Sequence, residues 1–226
     1  MTKDTGIQLN LSEYCWDTAE SAASFVLRYI CTLRKFIHQG LQSQQATDSI
    51  LQSLVQQLVN AGYEKTTQQR LRDYLVFSIK EHATAQLTEV PQKPEVERWV
   101  KEELQVTSTF WMQCWRDSLL ERSWRALERI EHDTPDRPIY SVFHASSVQP
   151  SAAAPMLSVE LATTAGLKLT ESQIVDLLSD AKVTFAQLLA NEINETISGN
   201  SEKDVLQEIK ALGLNLAFEG LKFSGY

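Results

Sequence analysis

The apolar residues of this chain recur at intervals of three and four, and this helical period constrains the fold more than any other feature. It runs through the stretch TESQIVDLLSDAKVTFAQLLANEI, residues 170–193. The short turn AGLKL precedes this stretch, and a turn followed by such a helix is typical of a helix-turn-helix. The alternating pattern of a strand is almost confined to PIYSVF, residues 138–143. The sequence therefore predicts an all-α fold.

Three helices are predicted before residue 90. The first begins near Asp17 and ends at Gly40, which are residue types favoured at helix starts and helix ends. The second covers residues 46–61 and stops at Gly62, and the third covers residues 66–87. The residues that we expect in the core of these helices are Phe25, Val26, Tyr29, Ile30, Leu33, Ile37, Ile50, Leu51, Leu54, Val55, Leu58, Leu71, Leu75, Phe77, Ile79 and Leu87.

Prolines and charges without an apolar period mark TEVPQKPEVE, residues 88–97, as a domain boundary. The helix predicted after it, 109–133, places Trp111, Trp115 and Leu119 four residues apart, so we expect it to be the most deeply packed helix. Such a stripe is more often an aromatic core than a surface on which bases stack. The sequence predicts three consecutive segments, namely residues 1–90, 91–151 and 152–226.

The composition limits the partners and the compartment. The chain has 226 residues and a formal net charge of −8, so it should repel a polyanion and bind DNA only weakly without specific contacts. Cys15, Cys31 and Cys114 are odd in number and lie among apolar neighbours, which favours free thiols in a reducing cytoplasm. The sequence has no signal-peptide pattern and no apolar run long enough to span a membrane.

Motifs that would carry catalysis are missing from the sequence. It contains no GxxxxGK, GxGxxG, GxSxG or HExxH motif, so we expect neither an enzyme nor a cofactor. Two sparse groups of metal-ligand types occur, Cys31 with His38, and Glu128 and Glu131 with His132 and Asp133. Because metal sites need several ligands at close spacing, a buried thiol beside an imidazole and a solvated helix end are the more frequent explanations. We therefore expect no metal.

Five segments, taken in order, resemble one known family. They are QQRLRDYLVFSIKEHA at 68–83, WRDSLLERSWRALERIE at 115–131, YSVFHASSVQP at 140–150, SVELATTAGLKLTESQIVDLLSDAKVTFAQLLANEI at 158–193 and VLQEIKALGL at 205–214. Together they resemble sigma-70-like RNA polymerase sigma factors of the extracytoplasmic-function type that is typical of planctomycete bacteria. The resemblance covers roughly residues 46–214.

The resemblance implies two functional parts and their partners. Residues 1–90 would form a region-2-like helical domain that binds the RNA polymerase core and melts promoter DNA. Residues 152–226 would form a region-4-like helix-turn-helix, with a C-terminal helix, that reads the −35 element. An anti-sigma or other regulatory protein is a further partner of such factors. Matching positions imply polymerase binding by Ile50 and Gln52, to which we add Val55 on the same helix, and DNA binding by Arg70, Arg72 and Lys80. Thr170, Ser172, Gln173 and Lys182 are further candidates for DNA binding, because short polar side chains near a helix N-terminus commonly donate to bases or phosphates.

The charged positions depart from the family pattern. Ser49 and Ser53 replace acidic residues in the polymerase-binding helix, and Glu81 replaces a basic or amide residue. Residues 157–197 carry six acidic and two basic residues, which disfavours phosphate contacts by the predicted recognition helix. Two functions therefore stay open. One is a sigma-like transcription initiation or regulatory protein, and the alternative is a sigma-derived interaction module, an adaptor or decoy, that does not bind DNA.

Overall fold

The computed structural model describes residues 6–8, 16–63, 69–87, 94–198 and 201–224. In these residues the chain is almost entirely helical, which confirms the predicted all-α fold. Two short parallel strands pair, β1 (Gly6–Gln8) and β2 (Lys222–Ser224), with Ile7 opposite Phe223. The α-helices are α1 (Ala22–Leu27), α2 (Ile30–Leu41), α3 (Gln44–Ala61), α4 (Leu71–Leu87), α5 (Pro94–Arg98), α6 (Thr109–Asp133), α7 (Ile139–Val148), α8 (Ala154–Thr164), α9 (Glu171–Glu195) and α10 (Glu202–Ala211).

Three single turns of other helix types complete the described structure. Trp16–Thr18 and Asn215–Phe218 are 3₁₀ turns, whereas Trp99–Glu103 is a π-helical turn. The amide of Leu104 donates to the carbonyl of Trp99 at 3.0 Å, five residues back, and this is the bond that defines a π turn. No helix among the described residues combines the length and the apolarity that a membrane crossing requires.

The chain packs into two units, and both are discontinuous in sequence. The α2–α4 unit contains the described residues within 11–118 and 193–212. The α7–α9 unit contains the described residues within 1–10, 119–192 and 213–226. The sequence analysis, in contrast, predicts domains that are consecutive segments of the chain, and that division remains a prediction. Each unit is described below by itself.

A row of four aromatic rings, tilted against one another, forms the core of the α2–α4 unit. The ring of Phe36 lies 4.9 Å from Trp111, which lies 5.6 Å from Trp115, and Trp115 lies 4.7 Å from Tyr29, measured between centroids. All four side chains are fully buried. Contacts of this kind stabilise a core beyond the area that they bury. The tryptophan stripe predicted from the sequence is therefore confirmed as core.

The first predicted helix is interrupted in the structure. Ser21 caps α1 by accepting a hydrogen bond from the amide of Ser24 at 3.2 Å. Helix α1 ends at Leu27, and α2 begins at Ile30, with Tyr29 as its N-cap residue. Gly40 does not end the helix as predicted, because α2 continues to Leu41 and ends with Gln42 in the left-handed conformation at φ 49°. Gly40 instead lies against the indole of Trp99, where a Cβ would overlap ring atoms.

Two other predictions need correction. Phe77, predicted as core, is 52% exposed, since it lies on the outer face of α4 opposite the buried Leu75 and Ile79. The alternating stretch PIYSVF is helical and forms the start of α7, whose Ile139 and Val142 are fully buried. Ile30 and Val55 are only partly buried, and the side chain of Leu87 lies outside the described residues. The remaining predicted core residues of α1–α4 are confirmed as buried.

Three helices share the core of the α7–α9 unit. Val142 and Ala145 of α7 pack with Leu157 and Leu161 of α8 and with Ile174 of α9. The six-residue connection after α8 contains Gly166 at φ 69°, and the amide of Leu167 donates to the carbonyl of Leu161 at 3.1 Å. A glycine with positive φ directly after the C-cap is a common helix end, so the chain turns from α8 into α9.

Replacing Gly40 by alanine should destabilise the protein, although alanine is the better helix former by about 1 kcal/mol. The new methyl group would overlap Cδ2, Cε2 and Nε1 of Trp99. Because overpacking of this kind costs about 1–3 kcal/mol, we expect a net loss in the free energy of unfolding, measured by urea denaturation.

Lys35→Ala, at an exposed position of the same helix, provides the control and should change stability by less than about 0.5 kcal/mol. If the clash is the cause, Gly40→Ala should cost less in a Trp99→Leu background than in the natural chain. An equal cost in both backgrounds would contradict the assigned contact.

Candidate functional site

A shallow groove runs along α3 at the position where the sequence predicts polymerase binding. Gln52 and Val55 line it together with Leu51. Val59 continues the apolar floor and is 67% exposed. We call this surface the α3 groove, and its lining residues are Arg34, Asp48, Leu51, Gln52, Val55, Gln56 and Val59.

The edge of the α3 groove is charged. The guanidinium of Arg34 pairs with the carboxylate of Asp48 at 3.0 Å, and both side chains are about half exposed. An apolar floor beside a polar rim is the usual composition of a protein contact surface. Ile50, the third residue predicted to bind polymerase, is 1% exposed and faces the core. It therefore does not reach a partner itself.

Two arginines predicted to contact DNA are bound within the α2–α4 unit. Arg72 donates through Nε and Nη2 to the two carboxylate oxygens of Glu208 at 2.6 and 3.1 Å. Nε of Arg70 lies 2.8 Å from the same carboxylate, and Asp73 pairs with Nη1 of Arg72 at 2.6 Å. Arg72 and Glu208 are 5% and 1% exposed. We call these four residues the Arg70–Glu208 cluster, in which two positive and two negative charges balance.

The cluster is reinforced by main-chain bonds. Arg70 and Ile197 form an isolated antiparallel bridge. The amide of Leu71 donates to the carbonyl of Thr196 at 2.9 Å, and the amide of Ser198 donates to Gln69 at 2.7 Å. These bonds join the start of α4 to the segment before α10. The buried ion pairs therefore lie where two distant parts of the chain are already fixed.

Burial disfavours the charged form of Arg72, but the hydrogen bond and the charge of Glu208 outweigh it and raise the pKa of Arg72. An arginine in this state stays charged and keeps its partner. With 5% exposure it offers no donor to a phosphate in this conformation, whereas Arg70 is partly exposed. Lys80, the other basic residue predicted on α4, is half-buried.

Glu208 is the functional residue that the sequence analysis missed. It lies three residues after Val205 and directly before Ile209, both of which are buried. A carboxylate on the apolar stripe of a helix is a signal that a buried basic partner is required, because an unpaired buried charge is costly. The basic partners of Glu208 could not be identified from helical spacing, since the nearer one in sequence, Arg72, lies 136 residues away.

The residues predicted to read DNA lie at the exposed N-terminal part of α9. Thr170 and Gln173 form a reciprocal capping box, in which the amide of Thr170 donates to Oε1 of Gln173 at 2.8 Å and the amide of Gln173 donates to Oγ1 of Thr170 at 3.3 Å. Ser172 and Lys182 are exposed. Thr170 and Gln173 therefore already serve to start the helix.

The exposed side of α9 is mixed in character and not basic. Val175 is 57% exposed, and Asp176 follows it at an exposed position. Asp180 pairs with Arg137 at 3.1 Å, and Glu192 pairs with Arg122. Phosphate contacts depend mainly on Lys and Arg side chains. On the exposed face of α9, Lys182 is such a residue. This face is a weak electrostatic match for duplex DNA.

Comparison of the chain with protein-family models, with curated proteins and with solved structures finds no match in any of the three. Among the residues that the structure describes, no group of three or more His, Cys, Asp or Glu side chains is placed to hold a metal ion.

Neutralising Glu208 with Glu208→Gln should strongly destabilise the protein. The change leaves the buried guanidinium of Arg72 with only Asp73 as a charged partner, and breaking a buried ion pair costs about 3–5 kcal/mol. The free energy of unfolding from urea denaturation measures this loss.

Glu121→Gln is the matched control, because it breaks an exposed pair with Arg125 one helical turn away. That pair should contribute less than about 1 kcal/mol. Similar stability losses in the two variants would show that the Arg70–Glu208 cluster is not a buried ion pair in solution.

Proposed function

We propose that this chain is a sigma-factor-like transcription regulatory protein that binds the RNA polymerase core through the α3 groove. The observation that carries the proposal is that Gln52, which matches a polymerase-binding position of the family, lines one accessible apolar surface together with Val55. The five segments that resemble the family in order give independent support. The apolar positions of these segments match the family pattern better than their charged positions do. This is expected because substitutions in a closely packed core are tolerated less well than substitutions on the surface.

The same chain is proposed to act through protein contacts more than through promoter DNA. Arg72 is held by Glu208 and Asp73, and Thr170 and Gln173 are used to cap α9. Attachment to polymerase would raise the effective concentration of any remaining contact, so Ser172 and Lys182 can still contribute when the chain is tethered. An isolated chain should bind promoter fragments poorly.

A second candidate function is an adaptor or decoy that binds polymerase or a regulatory protein and never contacts DNA. The engagement of both Arg70 and Arg72 by Glu208 favours this candidate, because it removes basic groups from the predicted promoter-melting surface. The two candidates share the α3 groove and differ in whether a complex with polymerase opens promoter DNA.

Val55→Asp should weaken the binding of the full chain to the cognate RNA polymerase core by about tenfold or more. The substitution places an unpaired charge on the apolar floor of the groove, and desolvating it on binding costs about 1–3 kcal/mol. Affinity is measured by fluorescence anisotropy of the labelled chain titrated with core enzyme.

Asn60→Asp introduces the same charge at an exposed position of α3 that does not line the groove. Its affinity for core should stay within about twofold of the natural chain. If the natural chain does not bind core enzyme, polymerase binding is contradicted for both candidate functions. Equal weakening by the two variants would move the interface elsewhere on α3.

Open-complex formation and salt dependence separate the two candidates. A sigma-like factor should open a promoter when it is combined with core enzyme. Lys182→Ala should then reduce the slope of log affinity against log salt by about 0.9, the contribution of one phosphate contact. Lys203→Ala on α10 is the control. Binding to core without promoter opening, and with no change in slope, would support the adaptor.

A further inference from the structure

The carboxylate of Glu208 occupies a place that has the chemistry of a phosphate site. Nε and Nη2 of Arg72 donate to its two oxygens at 2.6 and 3.1 Å, and Nε of Arg70 lies 2.8 Å from Oε2. Two parallel donors on one guanidinium edge match the oxygens of a phosphate as well as those of a carboxylate. Nη1 of Arg72 is held by Asp73 instead. Removal of Glu208 would therefore free one complete bidentate edge.

The charge balance of the cluster depends on α10. Arg70, Arg72 and Asp73 lie at the start of α4, whereas Glu208 is contributed by α10. Without Glu208, two arginines face one aspartate at the N-terminal end of a 17-residue helix. The dipole of such a helix adds positive potential at this end. The start of α4 therefore attracts an anion once α10 is absent from it.

The attachment of α10 is small for a helix. It is ten residues long and buries two apolar side chains, Val205 and Ile209, besides Glu208. Elements with few buried apolar contacts are the ones that open locally while the rest of a protein stays folded. When α10 opens, Glu208 enters water with it and the guanidinium edge of Arg72 becomes accessible. Opening therefore leaves neither charge buried without a partner.

We propose that Glu208 is an internal substitute for a phosphate group, and that α10 is an autoinhibitory helix which covers a site for the DNA backbone at the start of α4. Displacement of α10 exposes Arg70 and Arg72, and a backbone phosphate takes the position of the Glu208 carboxylate. This inference rests on the proposed sigma-like function, in which the two arginines contact DNA. The closed state accounts for weak DNA binding by the isolated chain without a loss of the arginines themselves.

Local opening of α10 is measured by amide hydrogen exchange of the full natural chain, resolved by peptide mass spectrometry. The amides of α10 should exchange faster than the central amides of α4, because α10 opens without global unfolding. Equal protection of the two helices would show that α10 leaves only when the whole unit unfolds. That result would overturn the proposal.

Ile209→Ala should loosen α10 without changing any charge. A larger open fraction should raise the affinity of the full chain for a fluorescein-labelled oligothymidylate by about fivefold or more, measured by fluorescence anisotropy. Backbone contacts are independent of base sequence, so this probe is sufficient. Leu206→Ala, at a 41% exposed position of the same helix, is the matched control and should leave the affinity unchanged. Adding Arg70→Gln to Ile209→Ala should remove the gain.

Unfolding midpoints show whether the variants fold, and Val205→Ala repeats the test at the other apolar contact of α10. Faster exchange of α10 without tighter binding of the oligonucleotide would overturn the proposal. Displacement of the oligonucleotide by inorganic phosphate at the same phosphate concentration would overturn the assignment to a DNA backbone. The assay contains no polymerase. Failure of the chain to bind core enzyme, which contradicts the proposed function, is therefore a separate result.

Discussion

The buried pairing of Arg72 with Glu208 is the interaction on which the α2–α4 unit depends. Glu208 belongs to a helix near the end of the chain, and its carboxylate lies among apolar side chains beside two arginines from the start of α4. A charge in that position is tolerated only when its partners are fixed. The pair therefore requires α10 to pack with the N-terminal helices, which makes the unit discontinuous in sequence. It also occupies basic groups that a promoter-melting surface would need.

The sequence was sufficient to predict the all-α fold and most of its core, because helical period reports burial directly at positions such as Leu54, Leu75 and Trp115. It was insufficient where distant residues decide local structure. Glycine is typical of helix ends, but Gly40 instead leaves space for the indole of Trp99, which is 59 residues away in the sequence. For the site, the exposure of Gln52 follows from the face of α3, whereas Val55, predicted as core, is only partly buried and lines the groove. The ion pair that Arg72 forms with Glu208 could not be predicted, because the sequence does not show where Glu208 packs.

The three-helix core formed by α7, α8 and α9 and the character of its surface are physically separate properties. Val142, Leu161 and Ile174 define the packing, and any chain that keeps such residues at these spacings can keep the arrangement. Base and phosphate contacts depend instead on exposed side chains, which packing does not constrain. A well-packed three-helix core and an exposed face with little positive charge are therefore compatible in one unit.

The exposed surface of the α2–α4 unit differs from that of α9 in the kind of partner that it favours. The α3 groove exposes aliphatic side chains beside an Arg34–Asp48 pair. This combination suits a polypeptide partner, whose apolar side chains complement it. Arg72, the most buried of the predicted DNA contacts, lies in this same unit and is neutralised within it. The physical character of the unit is therefore consistent with the proposed binding to a protein, and it offers few free basic groups for DNA.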